Sequence, residues 1–180
     1  VQRVWLHSYP PGVPTDIDPD AYPSLKALFE EACQRHGHKP AYTNFGATLS
    51  YAQLEALSGA FAAWLTRRSG LEHGDRVALM MPNILQYPIA LFGVLRAGMI
   101  VVNTNPLYTG RELEHQLKDS GAKAIVIVEN FAHVLQQVLP HTGLKKVLVT
   151  RIGDFLGFPK NLAVNFALKH VRKQIPPWSM

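Results

Sequence analysis

Four short apolar runs dominate the second half of the chain: RVALM at Arg76–Met80, MIVV at Met99–Val102, AIVIV at Ala124–Val128 and KVLV at Lys146–Val149. They recur about every 23 residues, so each gap has room for the one helix that a crossover between parallel strands requires. Their hydrophobicity is continuous instead of alternating, the pattern of strands covered on both faces. An α/β fold is therefore expected, an open, mostly parallel sheet with helices on both faces. No sequence repeat accompanies this structural one.

Composition agrees with one substantial core: 180 residues, 47% hydrophobic and 17% charged. A single cysteine, Cys33, excludes an internal disulfide framework or a multi-cysteine metal site and fits a reducing compartment. The net charge of +5 is spread over scattered basic residues until the last third of the chain, which gives no nucleic-acid footprint. The longest apolar stretch, Ile84–Val102, is broken by Gln86, Pro88, Gly93, Arg96 and Gly98 and does not read as a membrane span.

Three segments are expected: a proline-rich extended arm at 1–22, an α/β lobe at 23–155, and a basic amphipathic helix with a truncated end at 156–180. Neither end looks like a natural terminus. Ser24 should cap a helix carrying Leu25, Leu28, Phe29, Ala32 and Cys33 on one face, with Gly37 closing it. Two short strands, Ala41–Asn44 and Ala47–Leu49, flank Phe45-Gly46. Ser50 and Gln53 then form a capping box, with Leu49 and Leu54 as its hydrophobic staple, ahead of a helix marked by Leu54, Leu57, Phe61 and Leu65.

Ligands of such sheets bind beyond the carboxyl ends of the strands. Three loops qualify: Met81-Pro82-Asn83, Asn103–Gly110 (NTNPLYTG) and Glu129-Asn130. The second is the longest and richest in polar groups. Thr109 and Glu112 within it have the spacing of a second capping box, with Tyr108 and Leu113 as the staple. A threonine cap is typically worth about 1 kcal/mol. That structural duty leaves Asn103, Asn105 and Arg111 unexplained.

No catalytic residue stands out. G-x-G-x-x-G, G-x-x-x-x-G-K-[ST] and G-x-S-x-G are absent from the sequence. His36 and His38 have no further ligand nearby, and ELEHQL lacks the second histidine of a zinc helix, so no metal site is expected. In Lys160–Ile175 a stripe of Val164, Leu168, Val171 and Ile175, with Leu162 and Phe166 beside it, lies opposite Asn161, Asn165, Lys169 and Arg172. This helix either packs on other parts of a protein or meets an anionic membrane. In the second case Lys160, Lys169, Arg172 and Lys173 would add about 1 kcal/mol each.

LSYAQLE at Leu49–Glu55, the stretch from GDRVALMMPN at Gly74 through NTNPLYTGRELE to AIV at Val126, and VWLHSYPPGVP at Val4–Pro14 resemble the N-terminal part of bacterial long-chain fatty acid–CoA ligases. These belong to the adenylate-forming acyl-CoA synthetase superfamily. The resemblance covers nearly all 180 residues and implies the first lobe of the large N-terminal domain. It implies a two-step reaction: fatty acid and ATP, accompanied by magnesium, give an acyl-adenylate and pyrophosphate, and CoA then gives acyl-CoA and AMP.

That family's phosphate loop, Y-G-x-T-E motif, ribose-binding aspartate and catalytic lysine are not among these residues. The chain alone is therefore expected to be inactive and to hold no cofactor. By resemblance, Tyr108, Thr109 and Arg111 are the candidates for contacting CoA. The implied partners are fatty acid, ATP, CoA and the remainder of the same polypeptide, with a homodimer and an anionic membrane surface as further candidates. The implied location is the cytoplasm, peripherally at the inner face of the cell membrane. A stand-alone binding or membrane-contact module and a ligase with another acyl acceptor are the alternatives.

Overall fold

The computed structural model describes residues 2–179; Val1 and Met180, the outermost residues of the two expected terminal segments, lie outside the described residues. Twelve elements follow in order: α1 (Leu25–His36), β1 (Pro40–Asn44), β2 (Ala47–Ser50), α2 (Tyr51–Arg67), β3 (Arg76–Met80), α3 (Gln86–Arg96), β4 (Ile100–Asn103), α4 (Gly110–Ser120), β5 (Ala124–Val128), α5 (Ala132–Val138), β6 (Lys146–Thr150) and α6 (Lys160–Phe166). Short 3-10 turns intervene, and one π turn at Ala167–Val171 continues α6.

Each apolar run became a strand. β3, β4, β5 and β6 pair in parallel in the order β4-β3-β5-β6. Alternate strand residues serve opposite faces, as the pleat requires. Val77, Leu79, Val126 and Val128 pack beneath α2 and α3, against Leu65, Ala90 and Val94. Ala78, Met80, Ile125 and Ile127 pack on the other side, against Leu113 and Leu117 of α4 and Leu135 and Val138 of α5. Both faces of the sheet are thus covered, which is why the runs show no polar alternation.

Outside the α2–α3 layer sits a third cluster that joins α1 to the β1–β2 hairpin through Phe29, Cys33, Leu49, Leu54, Leu85 and Ile89. Cys33 is fully packed there, and burial pushes its thiol pKa up. Phe45 and Gly46 both adopt positive φ, 48° and 73°, the backbone that a two-residue hairpin turn needs. Ser50 and Gln53 form the expected capping box, and Ser24 accepts from the Ala27 N–H. Gly37 ends α1 in right-handed helical conformation, φ −44° and ψ −41°, so the expected cap residue is present without the left-handed geometry.

At the amino ends of the strands, Asp75 accepts from the Glu72 N–H at 2.9 Å and lies 2.6 Å from the Lys123 ammonium. These two contacts hold its carboxyl below the ordinary range. Its contribution to stability is therefore complete above the unfolded carboxylate pKa of about 3.9 and is lost as pH falls from there through the lower folded value. Asp75→Asn should melt below the wild type by a constant margin above about pH 5, and the margin should close in acid. Melting curves from pH 2 to 7 check this; a margin that widens in acid would reverse the assignment.

Candidate functional site at the carboxyl edge of the sheet

The strand order decides where a ligand crevice belongs. From β3 the chain steps out to β4 and then crosses back past β3 to reach β5. The order reverses between β3 and β5, and crevices open at such points beyond the strand carboxyl ends. The loops there are Met81–Leu85 and Glu129–Phe131, whereas Asn103–Gly110 follows β4 at the edge of the sheet.

Asn103–Gly110 itself is largely occupied with structure. Thr109 Oγ1 accepts from the Glu112 N–H and donates to Glu112 Oε2 at 2.7 Å, while the Thr109 N–H donates to the same oxygen at 2.8 Å. Those two contacts lower the Glu112 pKa. Tyr108 packs against the cluster that contains Leu113. The two asparagines that capping left unexplained also have local roles. Asn103 Oδ1 accepts from the Tyr87 hydroxyl at 2.9 Å and its carbonyl accepts from Gln116 at 2.9 Å, while Asn105 Oδ1 accepts from the Leu107 N–H at 3.0 Å. Arg111 alone remains unspent: it is exposed in the first turn of α4 and makes no hydrogen bond or ion pair among the described residues.

The other side of the edge is built around Glu129. Parallel pairing sets Val128 beside Thr150, so the next residues, Glu129 and Arg151, emerge together. Glu129 Oε2 lies 3.2 Å from Arg151 Nε, and its other oxygen lies 4.0 Å from Lys169 Nζ. The Glu129 side chain is only 5% exposed. Arg151 is held at both ends of its backbone: its carbonyl accepts from buried Gln86 at 2.6 Å and its N–H donates to Asp154 at 2.8 Å. Glu129, Arg151, Lys169, His170 and the Ile175–Trp178 segment enclose a recess of about 540 Å³.

The helix that supplies Lys169 differs from the expected one in length and orientation. It ends at Val171 and Ile175 lies beyond it, because Lys173 turns the chain through the left-handed region, φ 50°, and the Gln174 N–H closes back on the Leu168 carbonyl. Its polar side faces inward: Asn165 accepts from the Gly153 N–H at 2.8 Å and donates to Asp154 at 3.2 Å. Leu162, Phe166 and Val171 are exposed, as is Phe158 just before the helix. The four basic residues do not form one face. Lys160 donates to the Phe45 carbonyl and Lys169 turns toward Glu129, while Arg172 and Lys173 are exposed.

A family model described as AMP-binding enzyme matches residues 29–179. The chain belongs to the AMP-binding enzyme family. Within that family it is similar to long-chain-fatty-acid–CoA ligases from Escherichia coli O6:H1, 54% identical over 180 residues, and from Yersinia pestis, 57% identical over 178 residues. It spans 32% of the length of each, so these AMP-binding enzymes are about three times as long.

Among solved structures, a long-chain-fatty-acid–CoA ligase from Archaeoglobus fulgidus matches with a TM-score of 0.65 at 25% identity, over 80% of this chain and 30% of that one. A benzoate CoA ligase from Burkholderia xenovorans matches with a TM-score of 0.65 at 26% identity, over 69% of this chain and 25% of that one. Adenylate-forming CoA ligases are thus the structural neighbours, as the sequence resemblance implied.

Sequence reading singled out the Glu129-Asn130 loop but not the cluster that Glu129 organises. The available signal was the parallel alignment of AIVIV-E with KVLVT-R, each apolar run ending in a charge of opposite sign. No helix among the described residues is long and apolar enough to cross a membrane.

Proposed function

We propose that this chain is the N-terminal part of an ATP-dependent long-chain fatty acid–CoA ligase, which converts fatty acid, ATP and CoA to acyl-CoA, AMP and pyrophosphate through an acyl-adenylate. The observation that carries the reading is 54% identity over the whole chain to the Escherichia coli O6:H1 ligase. Work on ATP and CoA places such an enzyme in the cytoplasm. Magnesium would enter with ATP. The described residues include no group of three or more histidine, cysteine or acidic side chains arranged to hold a metal.

On these residues the CoA side falls to Arg111, with Tyr108 and Thr109 as its support. Thr109 and Tyr108 fix the start of α4, where the Glu112 carboxylate already closes the capping box. The unspent guanidinium stands in that first turn, where it can meet a CoA phosphate.

The test is a steady-state assay with ATP, CoA and oleate on the ligase that carries this sequence. Oleoyl-CoA is expected. Arg111→Ala should raise KM for CoA about tenfold, the loss of one charge-assisted contact, and leave KM for oleate unchanged. These 180 residues assayed alone should form no product, since the phosphate loop and catalytic lysine are not among them. An intact ligase inactive on oleate overturns the reading, and equal shifts in both KM values remove Arg111 from the CoA side.

A further inference from the structure

We propose that Asn103 is a positioning residue that sets the direction of Arg111 toward CoA, a role that rests on the assignment of Arg111 to the CoA side. Asn103 ends β4 and joins helices from the two faces of the sheet. Its Oδ1 accepts from the hydroxyl of Tyr87 on α3 at 2.9 Å, and its carbonyl accepts from Gln116 Nε2 on α4 at 2.9 Å. α3 covers one face, with Ala90 and Val94 in the cluster of Leu79, and α4 covers the other, with Leu113 and Leu117 in the cluster of Met80. One residue therefore ties the two layers together.

The loop that leads to Arg111 needs that tie. β4 lies at the end of the strand order and pairs only with β3 among the described residues. The Thr104 N–H continues that pairing by donating to the Leu79 carbonyl at 3.0 Å. Beyond it Pro106 has no N–H to donate and Leu107 is 80% exposed, so the loop is held chiefly by its ends. The Thr109–Glu112 capping box forms one end and Asn103 the other.

The two ends have different tasks. Capping fixes Arg111 within the first turn of α4 but does not set how that helix is directed over the sheet. Leu113 and Leu117 press α4 onto the sheet, and apolar contact carries no direction. Direction comes from Gln116, which lies about 7.5 Å of helix rise beyond Arg111. Its Oε1 is buried without a hydrogen-bond partner among the described residues, so the bond to Asn103 is what orients its amide. A guanidinium binds phosphate through directed N–H bonds, so a tilt of α4 weakens CoA binding and leaves the chemical step unchanged. The Tyr87 contact is exposed and adds little to folding.

Steady-state kinetics on the whole ligase that carries this sequence tests the role, with Tyr87→Phe, Asn103→Ala, Arg111→Ala and the double variant of Tyr87→Phe with Arg111→Ala. Tyr87→Phe and Asn103→Ala should each raise KM for CoA about threefold, the loss of one modest hydrogen bond, with kcat and KM for oleate unchanged. Tyr87→Phe should also leave the denaturation midpoint unmoved. In the Arg111→Ala background Tyr87→Phe should have no further effect, because no guanidinium is left to direct. If Asn103→Ala does not fold, Tyr87→Phe carries the test, because it keeps the ring and removes only the donor. A rise in KM for CoA with Arg111→Ala but not with Tyr87→Phe would overturn the positioning role and leave Arg111 on the CoA side. An unchanged KM for CoA with Arg111→Ala removes Arg111 from that side and this role with it. A Tyr87→Phe effect that persists in the double variant, or that shifts KM for oleate equally, would also overturn the proposal.

Discussion

Ile127→Ala should lower the unfolding free energy by about 2–5 kcal/mol, the range for large-to-small changes at fully packed sites. Ile127 is completely buried on β5, an inner strand of the sheet, and packs toward Leu113, Leu117 and Leu135. The loss has two parts: the transfer energy of the deleted atoms and the cavity left between rigid neighbours. For a domain of ordinary stability, about 5–15 kcal/mol, that is a large share of the total. Ile17→Ala is the internal control, since Ile17 is 89% exposed in the N-terminal arm and should change stability by no more than about 0.5 kcal/mol. Urea denaturation reads both, with the midpoint moving and the slope unchanged. Equal effects at the two positions would mean that the α4–α5 layer is not packed on β5 as described.

Gly153→Ala should cost about 1–3 kcal/mol by overpacking and should loosen the helix beginning at Lys160 from the carboxyl edge. A methyl group at Gly153 would lie 2.5 Å from Asn165 Oδ1 and 2.7 Å from the Asn161 carbonyl oxygen. Gly153 is not among the positive-φ residues, so the close approach of the helix, not the backbone conformation, is what requires glycine here. The lower backbone entropy of unfolded alanine acts in the opposite direction by about 0.4–1 kcal/mol, and the clash outweighs it. Adding Asn165→Ala should recover part of the loss but not all, because the Asn161 carbonyl remains in the way. Denaturation midpoints together with limited proteolysis of the 160–171 helix check this. Full recovery in the double variant would locate the whole clash at the Asn165 side chain.

The strands and caps were legible because they depend on neighbours in sequence. RVALM and AIVIV became β3 and β5 residue for residue, and the Ser50 and Thr109 capping boxes formed where their spacing placed them. The candidate site was less legible because it depends on strand order and register, which link residues far apart. Nothing local says that β5 lies beside β3 and not β4, and that choice moves the crevice from NTNPLYTG toward Glu129. The orientation of the last helix was hidden for a similar reason. Periodicity shows that two faces differ, but Asn165 faces the domain because Gly153, twelve residues earlier, leaves room for it to accept a backbone hydrogen bond.

The pairing of Glu129 with Arg151 also bears on how the sheet assembles. AIVIV and KVLV look alike when shifted, so hydrophobicity alone distinguishes neighbouring alignments of β5 and β6 less sharply than packing and charge together. A slip of one residue would bring Thr150 or Ile152 beside Glu129 and leave a carboxylate out of water without its guanidinium. An uncompensated buried charge costs about 3–5 kcal/mol. The ion pair at the end of the strands therefore acts as a stop that tells one apolar alignment from the next.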